Sequence, residues 1–198
     1  GKAVNQEQKR EEIFRGKESI ENVFERPCFG IRPGCGFDSG FKGAKDVLSL
    51  VAEAGLSYVS SFAWGPDYSL PALLTQPFSY ASDGCPQLWE LPAHGWHENL
   101  LKNHNRWGAR RLTLWPPKMP EAIPNDFIST PEEEFAVNRI FLEKAVSENK
   151  TFVSLIWHPW SLGSFDPDMK MLDLIFAHVR EIGLNPCTYA DLFRELSS

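Results

Sequence analysis

Apolar residues recur at helical spacing through the first stretch of the chain. Ile13, Ile20, Val23 and Phe24 stand among charged neighbours, and Asn5 with Gln8 three places on has the form of a capping box, so the pattern predicts a helix from Asn5 to Phe24. Cys28 to Ile31 reads as a short strand entering a glycine-rich turn from Arg32 to Gly43. A second helix is predicted from Ala44 to Ala54, with Val47, Leu48 and Val51 on one face and Gly55 as its stop, and a strand follows at Leu56 to Ser60. Ser61 to about Leu88 reads as loop, broken by Pro66, Pro71, Pro77 and Pro86, with a short strand at Leu88 to Leu91. Pro92 to Pro131 is rich in proline and carries a short strand candidate at Leu112 to Trp115. Thr130-Pro-Glu-Glu133 is a cap, an N1 proline and an N3 glutamate together, opening a helix that runs to about Asn149. Thr151 to Trp157 reads as a buried strand ending at His158-Pro159. A helix from Asp168 to Ile182, a strand near Leu184 and a helix from Ala190 to Leu196 complete the pattern.

This alternation predicts a single α/β domain over residues 1–198, a parallel sheet or barrel with helices outside. In such folds chemistry collects where strands end, and Arg32 and His158 both follow a predicted strand. With 20 basic and 26 acidic residues the net charge is −6, which argues against a generic nucleic-acid binder and against a polybasic membrane-surface protein. No apolar run reaches the roughly 18 residues that a membrane-spanning helix needs. The four cysteines (Cys28, Cys35, Cys85, Cys187) are too few for a disulfide scaffold. A Cys28–Cys35 or Cys85–Cys187 bridge is open, and buried thiols are the commoner arrangement. The compartment is not indicated.

Several common machines are absent: there is no G-x-S-x-G elbow, P-loop, G-x-G-x-x-G after a strand, or H-E-x-x-H. The turn Arg32-Pro-Gly-Cys-Gly-Phe-Asp-Ser-Gly40 lets backbone N–H groups approach a ligand oxygen, and equally serves as a tight turn beside a solvated arginine. His158 leaves a predicted strand ahead of a rigid proline. That place suits acid–base work, because histidine is the side chain that exchanges a proton near neutrality, and it suits a structural histidine as well. His94-Gly-Trp-His97, with Asp83 and Glu90 shortly before, is a poor metal-ligand signature outside a clear helix. His104 and His178 read as ordinary surface or helix-face residues. Trp64, Trp89, Trp96, Trp157 and Trp160 either fill a core or present flat faces to sugar rings.

Taken in order, Ile31-Arg32-Pro-Gly-Cys-Gly36, Gly55-Leu-Ser-Tyr-Val-Ser-Ser61, Leu88-Trp-Glu-Leu-Pro-Ala-His-Gly-Trp96, Leu155-Ile-Trp-His158 and Gly183-Leu with Thr188-Tyr-Ala-Asp-Leu192 form a recognisable series. From about residue 6 to the end the chain resembles the C-terminal two thirds of polysaccharide deacetylases, the nodulation-protein-B homology domain of the carbohydrate esterases. The resemblance implies a distorted β/α barrel, incomplete at its N-terminus. It also implies a hydrolase of carbon–nitrogen (non-peptide) bonds that removes N-acetyl groups from a polysaccharide with the help of a divalent, zinc-like metal. By resemblance the catalytic residues are Arg32, which orients the base carboxylate, Cys35, whose backbone N–H holds the oxyanion, and His158, which protonates the leaving amine. Leu155 and Trp157 match the strand before that histidine and, with Trp64 and Trp96, are the expected substrate contacts.

The chain departs from the family where Cys35 and Gly34 replace an aromatic and a second proline, and where Trp157 replaces a leucine. The larger departure is that the aspartate pair and the His-x-x-x-His motif, which supply the base and the metal ligands, are absent from the sequence. The expectation is therefore a truncated enzyme, or else a degenerate domain, that binds no metal and is inactive alone. Its expected partners are a carbohydrate or a small amide, without nucleic acid or a membrane span, and a second copy of itself if an open sheet edge is left. The alternatives are a non-catalytic carbohydrate-binding remnant and an allantoinase-like or imidase-like amidohydrolase.

Overall fold

The computed structural model describes residues 5–34, 36–97, 101–102 and 119–198. The chain divides into two compact units, Gly1–Phe62 with Pro77–Leu91 and Cys187–Ser198, and Ala63–Gln76 with Pro92–Pro186, and each is described by itself.

In the first unit α1 (Gln6–Phe24) begins at the expected capping box: the Asn5 side chain accepts from the Gln8 N–H at 2.8 Å, and the Gln8 side chain accepts from the Asn5 N–H at 3.2 Å. It lies against α2 (Lys45–Glu53), tied by Lys9–Asp46 at 2.7 Å and by Arg10 with Glu53. These pairs are exposed and contribute little. The binding force is apolar: Ile13 of α1 joins Leu48, Leu50 and Val51 of α2 in a cluster with Val59, Tyr80, Cys85 and Leu88 of the sheet.

The sheet has four strands among the described residues, β1 (Gly30–Ile31), β2 (Tyr58–Val59), β3 (Phe78–Tyr80) and β4 (Cys85–Glu90), in the order β1-β2-β4-β3. β1, β2 and β4 run parallel with Ile31, Val59 and Glu90 level, and β3 returns antiparallel on β4. The expected barrel is therefore corrected to an open α/β sheet. A barrel needs every strand to have two neighbours in a consistent shear, whereas β1 and β3 here are edges. The segment read as loop supplies β3, and Gly84, at φ +87°, turns it directly back into β4 rather than through a crossover helix. α6 (Tyr189–Leu196) closes the unit behind a Thr188–Asp191 capping box.

The second unit is built on α3 (Pro131–Ser147), which starts at the predicted Thr130/Glu133 box and buries Val137, Phe141 and Ala145 against Trp96, Leu101, Met119, Ala122 and Ile128. α4 (Pro159–Phe165) and α5 (Lys170–Glu181) pack Leu162, Met171, Ile175 and Val179 with Leu142. Inside this unit Lys102, 0% exposed, lies 3.2 Å from Glu134 Oε1 and 3.3 Å from Ser161 Oγ, with its ammonium 4.4 Å from the centre of the Phe165 ring. Burial of a charge is tolerated because it is paired and capped in this way.

The strand expected over Thr151 to Trp157 is reduced to one parallel bridge, Leu155 with His94. Apart from the His94 N–H, which donates to the Ser154 carbonyl at 2.7 Å, the partners described for its backbone are side chains. Gln76 Oε1 accepts from the N–H groups of Thr151 and Phe152, Gln76 Nε2 donates to the Phe152 carbonyl, and His94 Nδ1 accepts from the Ser154 N–H. No strand forms near Leu184. The candidate at 112–115 lies outside the described residues. Cys28, Cys85 and Cys187 are unbridged thiols, so the Cys85–Cys187 bridge is not formed.

Two glycines of the first unit separate close packing from plain turn. A Cβ added to Gly30 would lie 1.9 Å from the Tyr58 ring, whereas one on Gly34 meets nothing within 4 Å. Gly30→Ala is expected to lower the unfolding free energy by about 1–3 kcal/mol in urea, and Gly34→Ala to stay within about 0.5 kcal/mol of wild type. Equal effects would contradict the packing of Tyr58 over β1.

Candidate functional site

The parallel strands of the first unit release three polar residues at adjacent carboxyl ends: Arg32 after β1, and Ser60 and Ser61 after β2. Pro33 holds Arg32 to extended backbone, and the exposed guanidinium reaches α6, where Nη2 donates to the Tyr189 hydroxyl at 2.8 Å. The hydroxyl of buried Ser60 is 3.4 Å from the same oxygen, and the Tyr189 ring stands edge-on to Tyr58 with centroids 6.2 Å apart. Arg32 also lies over that ring, 5.6 Å from its centre. The arrangement is a cation held at a strand end, of the kind that binds a carboxylate or other oxyanion.

Beside it, Glu90 ends β4 fully buried. Oε1 accepts from the N–H groups of Ser61 and Phe62 at 2.7 and 2.9 Å, and Oε2 accepts from the Ser61 hydroxyl at 2.6 Å and from the Tyr80 hydroxyl. Burial pushes the Glu90 carboxyl above its ordinary range, and the four donors oppose that shift. Burial and the neighbouring carboxyl push the Tyr80 phenol up as well. Tyr80 also accepts from the Phe41 N–H at 2.9 Å, and Phe37 N–H donates to the Ser61 carbonyl at 2.8 Å, so this knot anchors the glycine-rich loop. Gly40, at φ +63°, fits here because a Cβ would come within 2.8–2.9 Å of Tyr80 Oη and Glu90 Oε2.

Of the residues expected from the sequence, Arg32 lies in the first unit, and Cys35 lies outside the described residues. The rest fall in the second unit. Trp96 is buried, its indole N–H donating to the Ala122 carbonyl at 2.8 Å, and half-buried Trp64 and Leu155 pack against the same cluster. Trp157 is half-buried in the cluster of α4 and α5. His158 is exposed as the N-terminal cap residue of α4, its ring 5.8 Å from that of Trp160, which is 64% exposed. The structure thus brings Trp64, Trp96 and Leu155 into one core and leaves His158 beside Trp160 at the surface of its unit.

Sequence reasoning passed over Tyr189, Ser60, Tyr80 and the role of Glu90. For Glu90 the signal was present: two residues after Leu88 on β4, the carboxylate falls on the same face as that buried leucine and must be satisfied by donors.

The pair His94 and His97 is not disposed as a ligand pair. His94 accepts at Nδ1 from the Ser154 N–H and donates at Nε2 to the Thr75 carbonyl at 2.8 Å, and His97 Nε2 is 3.1 Å from the Ala63 carbonyl. Among the described residues no group of three or more His, Cys, Asp or Glu side chains is placed to hold a metal ion. The divalent metal implied by the resemblance does not fit the donors described. No helix of the described residues is long and apolar enough to cross a membrane. No protein-family model, curated protein or solved structure matches the chain.

Burial holds His94 neutral, lowering its pKa from 6.5 to about 4. Between those values the unfolded chain binds a proton that the folded chain refuses, so stability falls as pH drops from about 6.5 toward 4, by up to about 3 kcal/mol. Urea unfolding at pH 7 and pH 4.5 should show a loss in wild type that is about 2–3 kcal/mol larger than in His94→Gln. Equal slopes would contradict the neutral, doubly bonded imidazole.

Proposed function

We propose that the chain serves the removal of N-acetyl groups from a polysaccharide, a carbon–nitrogen hydrolysis of the kind the polysaccharide deacetylases it resembles perform, and that it contributes a sugar platform and a proton donor while being inactive alone. The observation that carries the reading is the exposed pair His158 and Trp160, with ring centres 5.8 Å apart. An indole face is a platform for a sugar ring, and an imidazole one helical position before Pro159 is an acid for the amine that leaves when the amide breaks. In this reading water gives a proton to a base carboxylate as it adds to the acetyl carbon, the carbon–nitrogen bond breaks as His158 gives the nitrogen a proton, and acetate departs. By resemblance alone, Arg32 of the first unit is assigned to orient a base carboxylate, which the sequence does not supply. The oxyanion is assigned to the Cys35 N–H by resemblance alone.

The sequence holds neither the aspartate pair nor the spaced histidines of the family, so acetate release by the chain alone is expected to be negligible and binding is the readout. N-acetylglucosamine oligomers are expected to quench tryptophan fluorescence saturably. Trp160→Ala should weaken that binding about 5- to 10-fold, the scale of one lost aromatic contact, while His158→Ala stays within about twofold. A Trp160→Ala chain that binds as wild type does, or a wild type without response at millimolar oligosaccharide, overturns the proposal. Binding that is lost with Trp160 but never accompanied by hydrolysis, even with the missing motifs restored in a longer chain, would identify a carbohydrate-binding module instead.

A further inference from the structure

The Thr188-Tyr-Ala-Asp-Leu192 stretch has no part in the chemistry above, yet its tyrosine is the residue that touches Arg32. We propose that Tyr189 is a positioning residue: it holds the Arg32 guanidinium over the ends of β1 and β2 so that the remaining N–H donors bind a carboxylate. The inference rests on the reading of Arg32 as a carboxylate-orienting group.

Three features make Tyr189 a fixed post rather than a passing neighbour. It is the first residue of α6, whose start is locked by Thr188 Oγ1 accepting from the Asp191 N–H at 3.1 Å and by Asp191 Oδ2 accepting from the Thr188 hydroxyl at 2.6 Å. Its ring is bounded by Tyr58, with centroids 6.2 Å apart. Its hydroxyl stands 3.4 Å from Ser60, which is buried immediately beyond β2. Arg32, by contrast, is an exposed long side chain that enters a glycine-rich turn. Such a side chain surrenders much rotamer freedom when it binds, and a bond formed beforehand removes part of that cost. Nη2 spends one N–H on Tyr189, and among the described residues no carboxylate pairs with Arg32. A guanidinium held by a hydroxyl rather than by a carboxylate has donors to spare for an incoming carboxylate.

The test follows the Arg32 Nε–Hε resonance, assigned by its loss in Arg32→Lys, during titration with sodium acetate at constant ionic strength. Wild type is expected to show a saturable shift. Tyr189→Phe should keep the wild-type thermal midpoint, raise the acetate dissociation constant about fivefold or more, and merge the separate Nη signals that a held guanidinium shows. Ser60→Ala, which loosens the tyrosine without touching Arg32, should weaken acetate in the same direction and serves if Tyr189→Phe does not fold. Unchanged acetate affinity in both variants overturns the positioning role while Arg32 remains a carboxylate group. Absence of a saturable shift in wild type overturns the reading of Arg32 itself, and the inference with it.

Discussion

A carboxylate removed from water has to be matched donor for donor, and Glu90 at the end of β4 is matched by four. Two are backbone N–H groups of the segment leaving β2, which fixes how the chain exits that strand. The third is the Ser61 hydroxyl. The fourth is Tyr80, which in turn receives the Phe41 N–H and so extends the hold to the glycine-rich loop. Ser60, one residue before the latched serine, steadies Tyr189, and Tyr189 holds Arg32. The position of an exposed guanidinium at one strand end thus descends from a buried carboxyl group at another. Short strands make this necessary. β1 and β2 are two residues each, too brief for their ladder bonds alone to define where the following side chains stand.

What could be read from the sequence is what is decided locally. The three capping boxes at Asn5, Thr130 and Thr188 involve residues three apart, and their helices are found. The Asn5 and Thr130 starts were read from the pattern to within a residue. Sheet closure is decided by partners far along the chain, and there the pattern misled. Alternating helices and strands fit a barrel equally well, but nothing in periodicity reveals that β3 will fold back on β4. The run from Thr151 to Trp157 has the composition of a buried strand. It makes one bridge, Leu155 with His94, and the N–H groups of Thr151, Phe152 and Ser154 are met by the side chains of Gln76 and His94; no composition rule anticipates a side chain doing the work of a neighbouring strand.

The histidines show the same division. His94 and His158 both precede small or rigid residues and both stand in aromatic-rich stretches, so local sequence does not tell which imidazole is enclosed and which is exposed. The structure separates them by environment: His94 is enclosed and has both nitrogens engaged, and His158 is exposed at a helix start beside Trp160. Arg32 was legible from its proline and the glycine turn behind it. Tyr189 was not, because its partner lies 157 positions away and no local pattern links an N1 tyrosine to a strand end.

The most direct test of the latch is amide hydrogen exchange combined with urea unfolding in Glu90→Leu and Glu90→Gln. Glu90→Leu is expected to lose protection at Ser61, Phe62 and Phe41 and to fall in stability by about 3–5 kcal/mol, since four donors lose their acceptor, while Glu90→Gln retains an acceptor for the two N–H groups and most of their protection. A leucine variant that keeps those three amides protected and unfolds at the wild-type urea concentration would contradict the account.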